Sequence, residues 1–271
     1  MKMKGKNTAF AERYRAYVTS HTGLLRGNNE DNFTVNSVSK KLEYKNVSFT
    51  AVYDAPLLAA VFDGMGGESL GEYASCISAR MAKALYHALT SDPEKPIETL
   101  IAEYIQRAND AIRDFLVKNN CSTGGSTVAA LIIKNEIMYP FSLGDSRLYL
   151  MHSGKLRQLS KDHTLAMKKV EANIYTMEEA EKSLDSHRLT AFLGADDAGR
   201  GLAPESYEPV MLHKSDKLLM CSDGLYDELP LKTIQDIIKN NPDNPTLELV
   251  RAAIKHGGSD NVTCVVVERE I

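Results

Sequence analysis

The stretch "AAVFDGMGGESLGEYAS" (residues 59–75) decides how this chain folds. An apolar run that begins at Leu57 ends in a carboxylate, Asp63, and glycines follow at Gly64, Gly66 and Gly67. A short apolar run bounded by turn residues predicts a buried strand. Asp-Gly is also a common hairpin turn, but a turn alone does not explain a charge set against so apolar a segment. Just beyond, Leu70, Ala74, Ile77, Met81 and Leu85 recur at spacings of three and four, which predicts a helix. Ser69 and Glu72 fit a capping box at its start.

Working outward, "RYRAYVTSHTG" and "DNFTVNSVS" read as strands before residue 57. A second helix is expected where Ile97, Ile101, Tyr104, Ala108, Ile112 and Phe115 repeat, with "CSTGG" stopping it. Next come closely spaced strand candidates, "STVAALIIK", "EIMYPFSLG", "SRLYLMH" and "KLRQLS", joined as in an antiparallel meander. Residues 162–189 are charged and helical in pattern, with Thr176 and Glu179 as another capping box, and read as a flap on the main body. The strands "EPVMLH" and "DKLLMCSD" follow, then helices near "LPLKTIQDIIKN" and "NPTLELVRAAIKH". The last helix opens on Asn244-Pro245, a capping residue and a proline at the first helical position. "NVTCVVVER" is the final strand. Strand runs interrupted by paired helices predict an α+β layered domain rather than a βαβ winding.

Bulk properties narrow the function classes. With 271 residues, 43% of them hydrophobic, the chain can bury a substantial core. A net charge of -4 argues against a dedicated nucleic-acid binder. No run approaches the ~18 apolar residues of a membrane span. The start, "MKMKGKNTAF", lacks the apolar region of a secretory signal, and residues 1–12 are expected to be a frayed leader. Cys76, Cys121, Cys221 and Cys264 are scattered and form no CxxC pair, which argues against a zinc site. Cys76, Cys221 and Cys264 lie in apolar periodic segments and read as small buried hydrophobes. Reduced cytosolic thiols are the default.

The arrangement at Asp63 recurs. Asp145 lies between two strands, Asp223 ends a third, and Asp260 opens the last, each with a glycine adjacent or two positions away. Glu30 and Asp31 stand just before another strand. If the strand ends gather at one rim, these carboxylates gather with them, and like charges at close range call for a cation. An all-oxygen set points to Mg²⁺ or Mn²⁺. Each aspartate taken singly reads better as a turn residue than as a ligand.

Taken together, "TGLLRGNNEDNF", "VFDGMGG", "GGSTVAALI", "SLGDSRLYL", "LSKDHT", "CSDGLYDEL" and "GGSDNVTCVVV" resemble the metal-dependent PP2C-type (PPM) serine/threonine protein phosphatases in their bacterial form. The stretches keep the family's order over residues 22–267. The resemblance implies a single domain over residues 1–271, built as a four-layer α/β/β/α sandwich of two antiparallel sheets flanked by helices. It implies two core Mn²⁺ or Mg²⁺ ions, with a third ion as in many bacterial members. Asp63 would bridge the core ions, Gly64 would offer its carbonyl, and Asp223 and Asp260 would hold the first ion. Glu30 would support the second, directly or through water, and Asp145, Asp223 and Asp227 would form the third site. Arg26 would grip the substrate phosphate, with Asp31 and Asn261 supporting the ligands by hydrogen bonds.

The activity so implied is hydrolysis of phosphoserine and phosphothreonine in proteins, by in-line attack of a hydroxide shared between the ions and without a phosphoenzyme. A monomeric cytoplasmic enzyme opposing a serine/threonine kinase in signalling is the matching setting, with no nucleic-acid or membrane partner. Some positions depart from the family pattern. Met65 and Glu68 stand where histidines are frequent, and Ala191 in "RLTAFLG" replaces a common arginine. Methionine cannot donate a proton to the leaving oxygen. His163 reads as a structural hydrogen-bonding residue. The other readings are a phosphatase-like binding module that has lost catalysis, a phosphatase of non-protein esters, and a structural domain whose acids are all turns.

Overall fold

The apolar run before Asp63 is buried at every position, because both faces of its strand are covered. The computed structural model describes residues 12–66, 70–196 and 202–270. In chain order these form β1 (Arg13–His21), β2 (Asn32–Val35), β3 (Val38–Ser39), β4 (Val47–Asp54), β5 (Leu57–Phe62), β6 (Gly64–Met65), α1 (Leu70–Ser91) and α2 (Ile97–Lys118). Then come β7 (Gly125–Ser126), β8 (Val128–Lys134), β9 (Ile137–Leu143), β10 (Arg147–His152) and β11 (Lys155–Gln158). The flap holds α3 (Leu165–Glu171), α4 (Met177–Glu181) and a 3-10 turn at Leu184–His187. The remainder is β12 (Glu205–Ser206), β13 (Val210–Met211), β14 (Lys217–Cys221), α5 (Asp223–Tyr226), α6 (Leu231–Asn240), α7 (Pro245–His256) and β15 (Val262–Arg269).

One sheet has the order β11-β10-β14-β15-β1-β4, and the other β12-β9-β8-β5-β2-β3 with β13 paired to β9. The pairs in both are antiparallel. Alternation along β5 shows how the layers form. Leu58, Ala60 and Phe62 meet the apolar stripes of α1 and α2, among them Leu85, Ile101 and Ile105. Leu57, Ala59 and Val61 face the opposite sheet, meeting the layer of Ala16, Val18, Leu218 and Val265. On that sheet's far face, Leu219, Cys221, Cys264 and Val266 pack with Ile234 and Ile238 of α6 and Leu249 of α7. Three apolar layers between four layers of structure make the α/β/β/α sandwich.

The strand registers bring the acids to one end. In β2–β5, Asn32 pairs with Phe62, so the next step places Asp31 opposite Asp63. In β10–β14, Arg147 pairs with Cys221, and two further steps place Asp145 opposite Asp223. His21 pairs with Val262, which sets Thr22 beside Asn261. Both sheets therefore finish on polar residues at the same end of the sandwich.

Several local expectations need correction. β4 was not anticipated, although Val47, Phe49, Ala51 and Tyr53 alternate with polar or partly exposed neighbours, as an edge strand should. α2 ends at Lys118, before "CSTGG", because Asn120 turns into left-handed backbone at φ 55°. The strand expected in "EPVMLH" shrinks to two residues on the sheet edge. Cys221 and Cys264 are fully buried, but Cys76 is only half-buried on α1. The Thr176–Glu179 box forms, and Asn244 accepts from Leu247 N at 3.2 Å. Ser69, Glu68 and residues 1–11 lie outside the described residues.

If β5 is covered on both faces, enlarging either face overpacks a full layer. Ala59→Leu and Ala60→Leu should each lower unfolding free energy by about 1–3 kcal/mol in urea titrations. A neutral result at either position would mean that one face is open.

Candidate active site

The carboxylate cluster is built from loops that follow directly from these strand ends. Asp63 leaves β5 and is tied to Thr127, the residue just before β8, by two bonds: its N–H donates to Thr127 Oγ1 at 3.0 Å, and its carbonyl accepts from Thr127 N at 2.8 Å. Asp223 opens α5. Gly224 behind it has no room for a side chain, since a Cβ there would lie 2.1 Å from the Asn261 carbonyl oxygen. That close approach seats Asp223 against the Asp260–Asn261 turn. Asp145 sits in the β9–β10 turn with 6% of its surface exposed. Its carbonyl accepts from Tyr226 Oη at 3.0 Å.

Burial raises the proton affinity of these acids, and their mutual repulsion raises it further. Asp63 is held well above the usual carboxylate range by desolvation and by the charges of Asp223, Asp31, Asp145 and Asp260. Asp145 is pushed the same way by burial and by Asp223. Burial and Asp260 raise Asp223. The nearness of Asp63 pulls Asp223 the other way, less strongly than burial raises it. Burial pushes Asp31 up to about 7, although Ser222 Oγ donates to its Oδ2 at 2.7 Å. Asp227, more exposed, is raised to about 6 by partial burial and by Asp223. Glu30 is raised by burial, with Arg26 pulling the other way.

The remaining expected residues are in the same place. Arg26 Nη2 contacts Asp260 Oδ2 at 2.6 Å, and more than half of the arginine side chain is open to solvent. Asn261 accepts from Glu30 N at 2.7 Å and donates to the carbonyls of Thr22 and Asn28, each at 2.8 Å. It therefore locks the loop that carries Arg26 and Glu30. Gly64 and Gly71 pack backbone to backbone, and a Cβ on Gly71 would come within 2.6 Å of both Glu30 Oε2 and the Gly64 carbonyl oxygen. Glycine at residue 71 thus lets the Glu30 carboxylate and the Gly64 carbonyl lie side by side.

The oxygen set fits a divalent cation. Asp223 Oδ1 and Asp31 Oδ1 are buried with no hydrogen-bond partner, an arrangement that is costly unless a cation is nearby. The ligand atoms are hard oxygens, the preference of Mg²⁺ and Mn²⁺.

Several contributors were not foreseen. Arg147 makes a forked contact with Asp162, 2.6 Å from Nη2 to Oδ2, while its guanidinium lies 3.6 Å from the Tyr226 ring centroid. This brace ties the flap base to α5. His163, by contrast, is structural as the sequence predicts: Nδ1 accepts from Gly144 N at 2.9 Å and Nε2 meets Glu205 at 3.0 Å. His187, which matches no motif, reaches from the flap to within 3.8 Å of Asp227. Between the flap and the body lies a cleft of about 680 Å³, lined by Met167, Met177, His187, Tyr226, Asp227 and Leu231 among others. Ser222 and Thr127 lie within recognisable motifs, but nothing in their spacing announces which carboxylate or N–H they serve.

The raised acids give the metal-free fold a definite pH response. Because it binds more protons than the unfolded chain, their favourable contribution is complete below the usual carboxylate pKa, about 3.9. It is lost as pH rises through about 6 for Asp227 and about 7 for Asp31. A divalent ion competes with those protons. The rise in Tm on adding Mn²⁺ should therefore be larger near about pH 8 than near about pH 5.5. Equal rises would place the ion elsewhere.

The protein phosphatase 2C family profile matches residues 46–253. The serine/threonine phosphatase stp of Listeria welshimeri is 29% identical over 254 residues, 92% of this chain and 93% of that protein. The serine/threonine protein phosphatase PstP of Mycobacterium tuberculosis is 30% identical over 255 residues, 92% of this chain but 44% of that protein. The crystal structure of M. tuberculosis PstP/Ppp has a TM-score of 0.79 at 27% identity, covering 96% of this chain and 100% of that one. A structure of the PstP catalytic domain in complex with two manganese ions has a TM-score of 0.75 at 26% identity, covering 96% of this chain and 100% of that one. With a profile match across most of its length and the fold to go with it, the chain belongs to the protein phosphatase 2C family.

Proposed function

We propose that this protein is a metal-dependent serine/threonine phosphoprotein phosphatase, with residues 1–271 acting as one catalytic domain. The observation that carries the reading is the desolvated oxygen cluster with Arg26 at its mouth. Asp63, Asp223, Asp260, the Gly64 carbonyl and Glu30 would hold two core ions, and Asp145, Asp223 and Asp227 a third. When bound, Mn²⁺ or Mg²⁺ would lower the pKa of a water and neutralise phosphate charge.

The chain's own residues supply position and charge. The Asp260 contact uses one nitrogen of the Arg26 guanidinium, and the side chain is more than half exposed, so its other donors would be available to a phosphate dianion. Asn261 fixes the backbone on which Arg26 and Glu30 ride. Asp31 and Asn261 thus act as positioning residues. Hydrolysis joins a water oxygen to phosphorus as the ester bond to serine or threonine breaks. A cysteinyl-phosphate route has no support, because burial pushes the thiols of Cys221 and Cys264 far up. Met65 has no proton to give the departing oxygen.

The flap cleft suits the peptide around the phosphorylated residue, with Met167, Met177 and Leu231 as apolar contacts. Proteins are favoured over small esters as substrates by this cleft, and the complete acid set disfavours a binding module. Among the described residues no helix is long and apolar enough to cross a membrane. A cytoplasmic monomer working against a serine/threonine kinase in signalling is the setting that fits best.

Purified protein should release phosphate from a phosphothreonine peptide with Mn²⁺ or Mg²⁺ and not with EDTA. Asp223→Ala should lower kcat/KM by at least about 100-fold, and Arg26→Ala by about 100- to 1000-fold. No release from folded protein with any divalent ion would favour the binding-module reading. Met177→Asp should lower kcat/KM on the phosphopeptide about tenfold and leave a small aryl phosphate unchanged. Equal loss on both would remove the cleft from substrate choice.

A further inference from the structure

We propose a second, chemically different metal site at the opposite end of the sandwich, formed by His152, His213 and Asp216 and suited to Zn²⁺ or a similar borderline transition ion. One ligand atom from each residue lies within 4.8 Å of the other two. His152 is the last residue of β10, whose first residue, Arg147, adjoins the acidic cluster. Asp216 precedes β14, whose far end leads into Asp223. Asp145 and His152, like Asp216 and Asp223, are seven residues apart in sequence, which at ~3.3 Å per residue puts about 23 Å between the two clusters.

Asp216 is 4% exposed, whereas both imidazoles are open to solvent. Its Oδ2 accepts from His213 N at 3.0 Å, and its N–H donates to the His213 carbonyl at 3.0 Å, which fixes a tight turn. Each of its oxygens also faces an imidazole: Oδ1 is 2.8 Å from His152 Nδ1, and Oδ2 is 3.5 Å from His213 Nδ1. The rings are 4.9 Å apart and tilted by 57°, so they converge rather than stack. Donors around a tetrahedral Zn²⁺ are roughly 3.3 Å apart, given bonds of about 2.0–2.1 Å. Small side-chain rotations bring the three donors to that spacing. The carboxylate is held by backbone, and the open imidazole side gives an entry path and room for water ligands.

The donor set decides the ion. Two imidazoles and one carboxylate favour Zn²⁺, Ni²⁺ or Cu²⁺, whereas the acidic cluster, all oxygen, favours Mg²⁺ or Mn²⁺. A bound ion would tie the end of β10 to the β13–β14 turn without touching the residues that face substrate.

The test is equilibrium dialysis of the full chain against about micromolar free Zn²⁺ with millimolar Mg²⁺ to fill the oxygen cluster. Wild-type protein should retain one more equivalent of zinc than the His152→Ala/His213→Ala variant, and its zinc-induced rise in Tm should shrink in that variant. Activity with Mn²⁺ should be the same in both. His213→Gln alone, which keeps a side chain over the turn, should lose the same equivalent. Equal zinc retention by wild type and the variants, or retention by wild type only at millimolar zinc, would overturn the proposal.

Discussion

Carboxylates from Asp63, Asp145, Asp223 and Asp260 converge where two antiparallel sheets end, and withdrawing water strengthens their repulsion. The chain meets that repulsion with protons, with donors and with geometry. Asp63 and Asp223 hold protons more tightly than ordinary carboxylates, Ser222 supports Asp31, and Arg26 reaches Asp260. Even so, one oxygen of Asp31 and one of Asp223 stay buried without a partner. A divalent cation answers the same need more completely than any of these, and so this end of the molecule reads as a site rather than as a set of turns.

The sandwich is what makes the cluster possible. β5, β14 and β15 are buried on both faces, so their paths are fixed by packing and their ends are placed accurately. Register then puts Asp31 across from Asp63 and Asp145 across from Asp223. Backbone contacts through Gly64, Gly71 and Gly224 allow neighbouring loops to close on one another. Rigid strands carry the charges, and short loops of small residues let them meet.

Much of this was legible in the sequence because it depends on local pattern. The apolar run before Asp63, the stripe from Leu70 to Leu85 and the Asn244-Pro245 start each carry their meaning within a few residues. What escaped depends on distant partners. β4 alternates in sequence, yet its half-exposed face weakens the signal. Arg147 reads as one more strand residue until Asp162 and Tyr226 are seen around it. His187 lies in the flap and matches no motif, and only tertiary structure brings it to Asp227. Cys76 follows the helical period but falls at the margin of the buried stripe. The four-layer order itself came from the family resemblance, since strand pattern does not determine how sheets stack.

The most direct test of the central claim is a crystal structure of the protein with Mn²⁺, recorded at the manganese absorption edge. The account predicts two anomalous peaks about 3.5–4 Å apart, with Asp63 between them and Asp223 and Asp260 on one. Crystals grown at millimolar Mn²⁺ that show no peak within bonding distance of Asp63 would contradict it.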